Sequence, residues 1–338
     1  MLDTLATHTA SPWDEQVIGA HSSPHFMQSE SWAEAKRAGP WELERRRFAG
    51  HPVQVFARHA EGFGLLQHLP RVSGITPEAV PDLTEAVREG RGEAFAAKIE
   101  VYQPRDAELV RAFRRAGWMP ARASQYRHAV VVATEAGEEA AFAAMKKRAR
   151  NEVRTAERHG VEIERVECRG SNRERMHELI AETTERSGSL QRSRGYLERI
   201  WEAFEASGRG ALYFARYGGE VVAGAFVLRY GPNAWYKDGG STREHPHVMA
   251  SRMLHWHIIR SLAAEGVSRY DLGNIPDPAS EHPAGLGLRI FKTGFTRDPV
   301  EFLPAFELSF RPVHTAWRHG GEREHVGAYR MRTGDYWY

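Results

Sequence analysis

Tyr270-Asp271-Leu272-Gly273-Asn274 is followed by Gly285-Leu286-Gly287-Leu288-Arg289-Ile290-Phe291-Lys292-Thr293-Gly294-Phe295, an order characteristic of an α/β unit. A strand-like run ends in a Gly-Asn loop. A short helix then carries an aromatic-Lys pair near its C-terminal end and stops at Gly294. This order puts a cation and an aromatic face beside the end of a strand, where α/β folds build their sites.

Working outward, residues 268–272 read as the strand and 286–293 as the helix. Upstream, 247–265 reads as a helix stopped by Gly266. Residues 211–217 and 221–230 read as a hairpin around Gly218-Gly219, and 234–238 continues the sheet. The first half has the same order. Residues 24–36 read as a loop entering a helix, with Ser29 or Ser31 as its cap. Residues 53–58, 62–69, 95–101 and 126–133 read as strands, the last centred on Val130, Val131 and Val132. Helices are expected at 78–88, between Pro77 and Gly90, and at 107–116, stopped by Gly117. Arg115-Ala116-Gly117-Trp118 mirrors Lys292-Thr293-Gly294-Phe295. The repetition predicts an α/β (α+β) protein made of two copies of one unit of acyltransferase type. Between them, 140–159 reads as one helix ended by Gly160, followed by helices at 172–186 and 195–206. Residues 300–310 read as a last strand, and the tail after Arg311 has no clear period.

At 338 residues the chain is long enough for two domains. Its 41% hydrophobic and 27% charged content is that of a soluble globular protein. No apolar run approaches a membrane span, and the first residues lack a secretory pattern. Cys168 is the only cysteine, which excludes an intrachain disulfide and fits the cytoplasm. Net charge is only +2, so nucleic acid would have to meet a local patch; DNA is not an expected partner. There is no phosphate-binding P-loop, nucleophile elbow or His-Glu-x-x-His. His255 and His257 fall on different faces of a helix and make no metal pair. His282-Pro283-Ala284-Gly285-Leu286-Gly287 has the glycine spacing of a CoA pyrophosphate loop, but precedes the wrong helix. Asp271 to Asn274 lacks the Gly-x-Gly-x-x-Gly of a Rossmann turn.

Several motifs, taken in order, resemble those of the FemABX peptidyltransferases. Besides the opening stretch, these are Gln28-Ser29-Glu30-Ser31-Trp32-Ala33-Glu34-Ala35-Lys36; residues 147–160, rich in Arg, Asn and Ala and ending in Gly; Thr184-Glu185-Arg186 with Tyr196; and Tyr213-Phe214-Ala215-Arg216 through the aromatic strand Ala234-Trp235-Tyr236. The resemblance covers nearly the whole chain. It implies two GNAT-like domains, each a mixed twisted sheet flanked by helices, in the compact form without a coiled-coil arm. The expected boundaries are 1–134, with the tail 313–338 returning to that domain, and 135–312. The implied reaction joins the amino acid of an aminoacyl-tRNA to an amino group of a peptidoglycan precursor. Aminoacyl-tRNA is then a co-substrate and no cofactor is expected; contact with a membrane would be peripheral, through a lipid-linked acceptor. Two departures bear on the acceptor. Gly294-Phe295 continues as Thr296-Arg297-Asp298-Pro299 rather than Gly-Gly, and Glu100 stands where the family often has Asp, with its Pro displaced to Pro104.

Aminolysis of an aminoacyl ester needs alignment and stabilisation of an oxyanion more than covalent help. The resemblance assigns the charge to Lys292 and a supporting ring to Phe291; the competing reading is a solvated lysine at a helix end beside a core Phe. For the acceptor it assigns Lys36, Arg192 with Tyr196, and Tyr236, with Glu100 as a further candidate. Arg186 and Arg194 compete with Arg192, Tyr236 could equally be core, and Glu100 could be a surface carboxylate. Lys147, Arg150, Arg154 and Arg158 recur at helical spacing on one face, suited to tRNA phosphates, although Glu152 and Glu157 interrupt the stripe. Rival functions are the same donor chemistry on a peptide or nucleoside antibiotic intermediate, a CoA-dependent N-acyltransferase, and a non-enzymatic RNA-binding module.

Overall fold

A computed structural model describes residues 11–48, 50–188, 192–279 and 285–338. The first part of the CoA-like loop, His282 to Ala284, and the chain's first ten residues lie outside them. Contacts divide the chain into two compact units, one of residues 9–127 with 301–338, the other of 128–300.

Both units follow one plan. In the first, Glu42–Phe48, His51–Ala60 and Gly64–Val72 form an antiparallel meander. The helix Val80–Glu89 then crosses over to Ala96–Val101, which pairs parallel to Gly64–Val72. In the second, Glu162–Val166, Gly210–Tyr217, Glu220–Tyr230 and Asn233–Ser241 form the meander. The helix Ala250–Ala264 crosses to Arg269–Asn274, which pairs parallel to Asn233–Ser241. A parallel neighbour requires such a crossover, since no tight turn can return the chain in the same direction. The expected internal repeat is therefore present in the topology.

The domain boundaries differ from expectation. His128–Ala133 pairs with Arg269–Asn274, Tyr270 opposite Val132, and so belongs to the second sheet. Phe306–Ser309 pairs with Ala96–Val101, Phe306 opposite Ile99, and belongs to the first. The second unit thus begins with His128–Ala133, and the first completes its sheet with Phe306–Ser309 from beyond its main run of chain. Burial explains the choice: Val130 and Val132 join the second core with Tyr270 and Leu272, while Phe306 and Leu308 join the first with Phe113 and Ile99.

Several other elements depart from the sequence reading. The helix expected over 140–159 is two, Gly137–Ala144 and Lys147–Arg158. Met145 and Lys146 are extended between them, because the Lys146 N–H donates to Gly294 O at 2.9 Å. The strand expected over 300–310 is two short pieces, Val300–Glu301 and Phe306–Ser309. The tail after Arg311 is largely helical, ending in Glu322–Thr333. Ser29 caps its helix as expected, accepting from the Trp32 N–H at 3.1 Å.

Candidate active site

The second unit holds Lys292 at the end of the short helix Leu286–Lys292. The side chain is 4% exposed, so it is not a solvated helix-end lysine. Its Nζ donates to Asn274 O at 2.9 Å, at the end of the strand Arg269–Asn274, and lies 5.9 Å from the centre of the Tyr236 ring. Burial pulls the ammonium down to about 8, while the Asp271 carboxylate works the other way. A buried amine with one carbonyl acceptor among the described residues keeps donor capacity for a ligand.

The expected Gly-Asn loop is instead an irregular end of the strand Arg269–Asn274, and that irregularity makes the geometry. The ladder shifts register between Asp271 and Asn274, and Gly273 sits at φ +78°. Its N–H donates to Asp271 Oδ1 at 2.7 Å. A Cβ here would strain the backbone and stand 3.6 Å from Lys292 Nζ.

Phe291 is half-buried and packs under the Arg252 guanidinium, 4.3 Å from its ring centre; Phe295 lies 4.4 Å from the same group. Arg252 also donates to Phe291 O at 2.8 Å and to Glu152 Oε2 at 2.9 Å. A Cβ on Gly294 would come 2.8 Å from this guanidinium, which explains the small residue that ends the helix. His255, one turn on from Arg252, lies edge-on to Tyr236 at 4.5 Å, and its Nδ1 is 3.1 Å from the Tyr270 hydroxyl. Burial, with Lys292 and then Arg252 nearby, pushes the imidazole down to about 3, so it is neutral. Arg252 escaped the sequence reading, and His255 was weighed there only as a metal ligand; their helical spacing opposite the Phe291-Lys292 pair was the available signal.

A cleft of about 630 Å³ opens beside this helix, lined by Lys146, Arg148, Arg186, Arg243 and Arg252 with Glu152, Phe291 and Gly294. Five cations against one carboxylate suit a polyanionic ligand. The expected basic stripe is on the helix Lys147–Arg158, on another side from the Arg148 and Glu152 that line this cleft. Lys147, Arg150 and Arg154 line a second groove together with Glu138, Glu139 and Glu157, while Arg158 bonds Thr155 Oγ1. Arg150 donates to the carbonyls of Ala143 and Met145, so part of its capacity closes the preceding helix.

The acceptor candidates divide between the units. In the second, the Arg192 guanidinium stacks 4.3 Å from the ring centre of buried Tyr196, and Lys237 lies 5.9 Å from that ring. Of its competitors, Arg194 pairs with Glu174 at 2.7 Å, and Arg186 donates to Ser241 O at 2.9 Å on the cleft wall. Tyr236 packs against the core and keeps an exposed edge; burial, with Asp238, pushes its phenol up. In the first unit, Lys36 is buried between the Trp32 and Trp41 rings, at 5.3 and 5.1 Å. Glu100 is not a surface carboxylate. It is buried and accepts from the N–H groups of Ser124 and Gln125, at 2.8 and 2.9 Å, and sits 3.0 Å from His68 Nε2. Burial alone would raise it, but the His68 hydrogen bond and charge, with Arg71 and Lys98, bring it down to about 2. A carboxylate so stabilised is a weak base.

Residues 143–280 match the family described as an acetyltransferase (GNAT) domain. The aminoacyltransferase FemA of Staphylococcus epidermidis is 25% identical over 99 residues, 29% of this chain and only 24% of FemA. The match thus spans about a quarter of that relative's length. The crystal structure of FemX superposes with a TM-score of 0.77 at 18% identity, over 91% of this chain and 97% of FemX. The C-terminal domain of a putative lysylphosphatidylglycerol synthetase from Agrobacterium fabrum superposes with a TM-score of 0.57 at 16% identity, over 92% and 94%. Among the described residues, no helix is long and apolar enough to cross a membrane.

Proposed function

We propose that this FemABX-type chain is an aminoacyltransferase that takes the amino acid from an aminoacyl-tRNA and joins it to an amino group of a peptidoglycan precursor. The observation that carries the proposal is the buried Lys292 ammonium on a helix whose Ile290 and Phe291 line a cleft bearing five cations. The neutral acceptor amine attacks the ester carbonyl; a C–N bond forms, the C–O bond to the ribose breaks, and the amine's proton ends on the ribose hydroxyl. Lys292 stabilises the negative oxygen between these events, and the cleft holds the phosphates next to the ester. Phe291 and Arg252 fix the lysine's helix. No cofactor enters this reaction. Incubation with a charged tRNA pool and candidate precursors, read by mass spectrometry, is expected to add one amino-acid residue to the acceptor. Addition to a biosynthetic peptide but to no cell-wall precursor would move the acceptor to an antibiotic intermediate.

Two further expectations separate donor from acceptor contacts. Lys36→Ala and Arg192→Ala should raise the acceptor's KM more than they lower kcat, by about tenfold for a charge-assisted contact worth roughly 1.5–3 kcal/mol. Parental KM in two well-folded variants would remove these residues from the site. Reversing Arg150 and Arg154 to Glu should weaken tRNA binding at low salt and flatten its salt dependence, leaving acceptor binding unchanged. An unaltered salt series would leave the tRNA contacts to the cleft cations alone.

A further inference from the structure

The hairpin turn between Gly210–Tyr217 and Glu220–Tyr230 approaches the loop at residues 242–249, which leads into Ala250–Ala264. There Glu220, Glu244 and His245 each offer one ligand atom, and the three atoms lie within 4.8 Å of one another. The His247 ring centre is 6.1 Å from that of His245. His247 is outside the converged group, and its side chain would have to rotate to reach the ring separation of roughly 5 Å that two imidazoles keep on one zinc ion at Zn–N lengths of about 2.0–2.1 Å.

The carboxylates make this more than a surface cluster. Among the described residues, Glu220 and Glu244 form no ion pair or hydrogen bond through their side chains, nor do His245 and His247. A cation there would take two carboxylates that the described side chains leave unpaired. Arg216, near the hairpin turn, pairs with Glu164 and donates to Gly219 O. Mixed imidazole and carboxylate donors select zinc-like transition metals over magnesium or calcium.

The geometry points to a divalent transition-metal site formed by Glu220, Glu244 and His245, with His247 as the fourth ligand. The ion ties the hairpin turn to a loop whose Thr242, Arg243, His245 and Met249 line the cationic cleft. Met249 itself holds a positive φ of 56°, a conformation that such a tether would help to maintain. Its role is to fix one wall of the cleft, and it stands independently of the reaction proposed above.

Chelator-treated full-length protein titrated with zinc chloride should bind one ion per chain at this site. The Glu244→Gln/His245→Ala variant should lose at least about tenfold in affinity, since even outer partners of a metal ligand are worth that much. Both side chains are solvent-accessible, so the metal-free variant should match the parent's circular dichroism and melting. His247→Ala should weaken binding rather than abolish it. Cobalt should give intense visible bands of tetrahedral type without a thiolate band, and magnesium should not compete. Zinc should raise the parent's melting temperature and not the variant's. Absent saturable binding, parental affinity in the double variant, or equal competition by magnesium would each overturn the site.

Discussion

Lys292→Met is expected to lower turnover by about a hundredfold to a thousandfold, the usual effect of removing one preorganised oxyanion contact. The substitution keeps the length of the stem that fills this buried position and deletes the charge and the bond to Asn274 O. Affinity for both substrates should change little, because the charge matters most once the oxyanion develops. The pH profile makes the role specific. With the ammonium held down to about 8, the cationic form is present below that pH and lost above it. Activity at saturating acceptor should therefore fall as pH rises through about 8. The fall should vanish from the residual activity of Lys292→Met. A lysine acting as a base would give the opposite limb, with activity rising through the same pH. Near-parental turnover in a well-folded variant would remove Lys292 from the mechanism.

The second large effect is on stability. Lys98 is fully buried and pairs with Glu322 and with Glu307, the latter at 3.2 Å. It also donates to the Tyr338 hydroxyl at 3.0 Å and to Arg122 O at 2.9 Å. This one ammonium thus ties the strand Ala96–Val101 to Phe306–Ser309 and to the helix Glu322–Thr333, within the first unit. Lys98→Met leaves buried Glu322 without its cation and Glu307 with only the His314 ring, at 3.0 Å, and should cost about 3–5 kcal/mol in urea unfolding. Adding Glu307→Gln and Glu322→Gln should recover part of the loss, since the orphaned charges then disappear. A loss below about 1 kcal/mol would place this network among weak surface pairs.

Elements with local signals were legible in the sequence. The hairpin around Gly218-Gly219, the crossover helix ended by Gly266 and the short helix stopped by Gly294 all lie where turn and cap chemistry put them. The repeat was legible for the same reason, through helices that end alike. The exchange of His128–Ala133 and Phe306–Ser309 was not, because either apolar strand could complete either sheet and only long-range pairing decides. Glu42–Phe48 was missed because Glu and Arg fill it, as suits the exposed edge of a sheet. At the site, Lys292 and Phe291 stood out by motif. The cationic cleft did not, since Lys146, Arg148, Arg186, Arg243 and Arg252 come from three separate stretches of chain.

The most direct test of the central claim is donor dependence. Purified protein, a charged tRNA pool and a peptidoglycan precursor should give a product one amino-acid residue heavier. Ribonuclease treatment of the pool beforehand should abolish it, and acetyl-CoA should not substitute. Undiminished product after ribonuclease treatment, or acetylation of the acceptor from acetyl-CoA without RNA, would contradict the account.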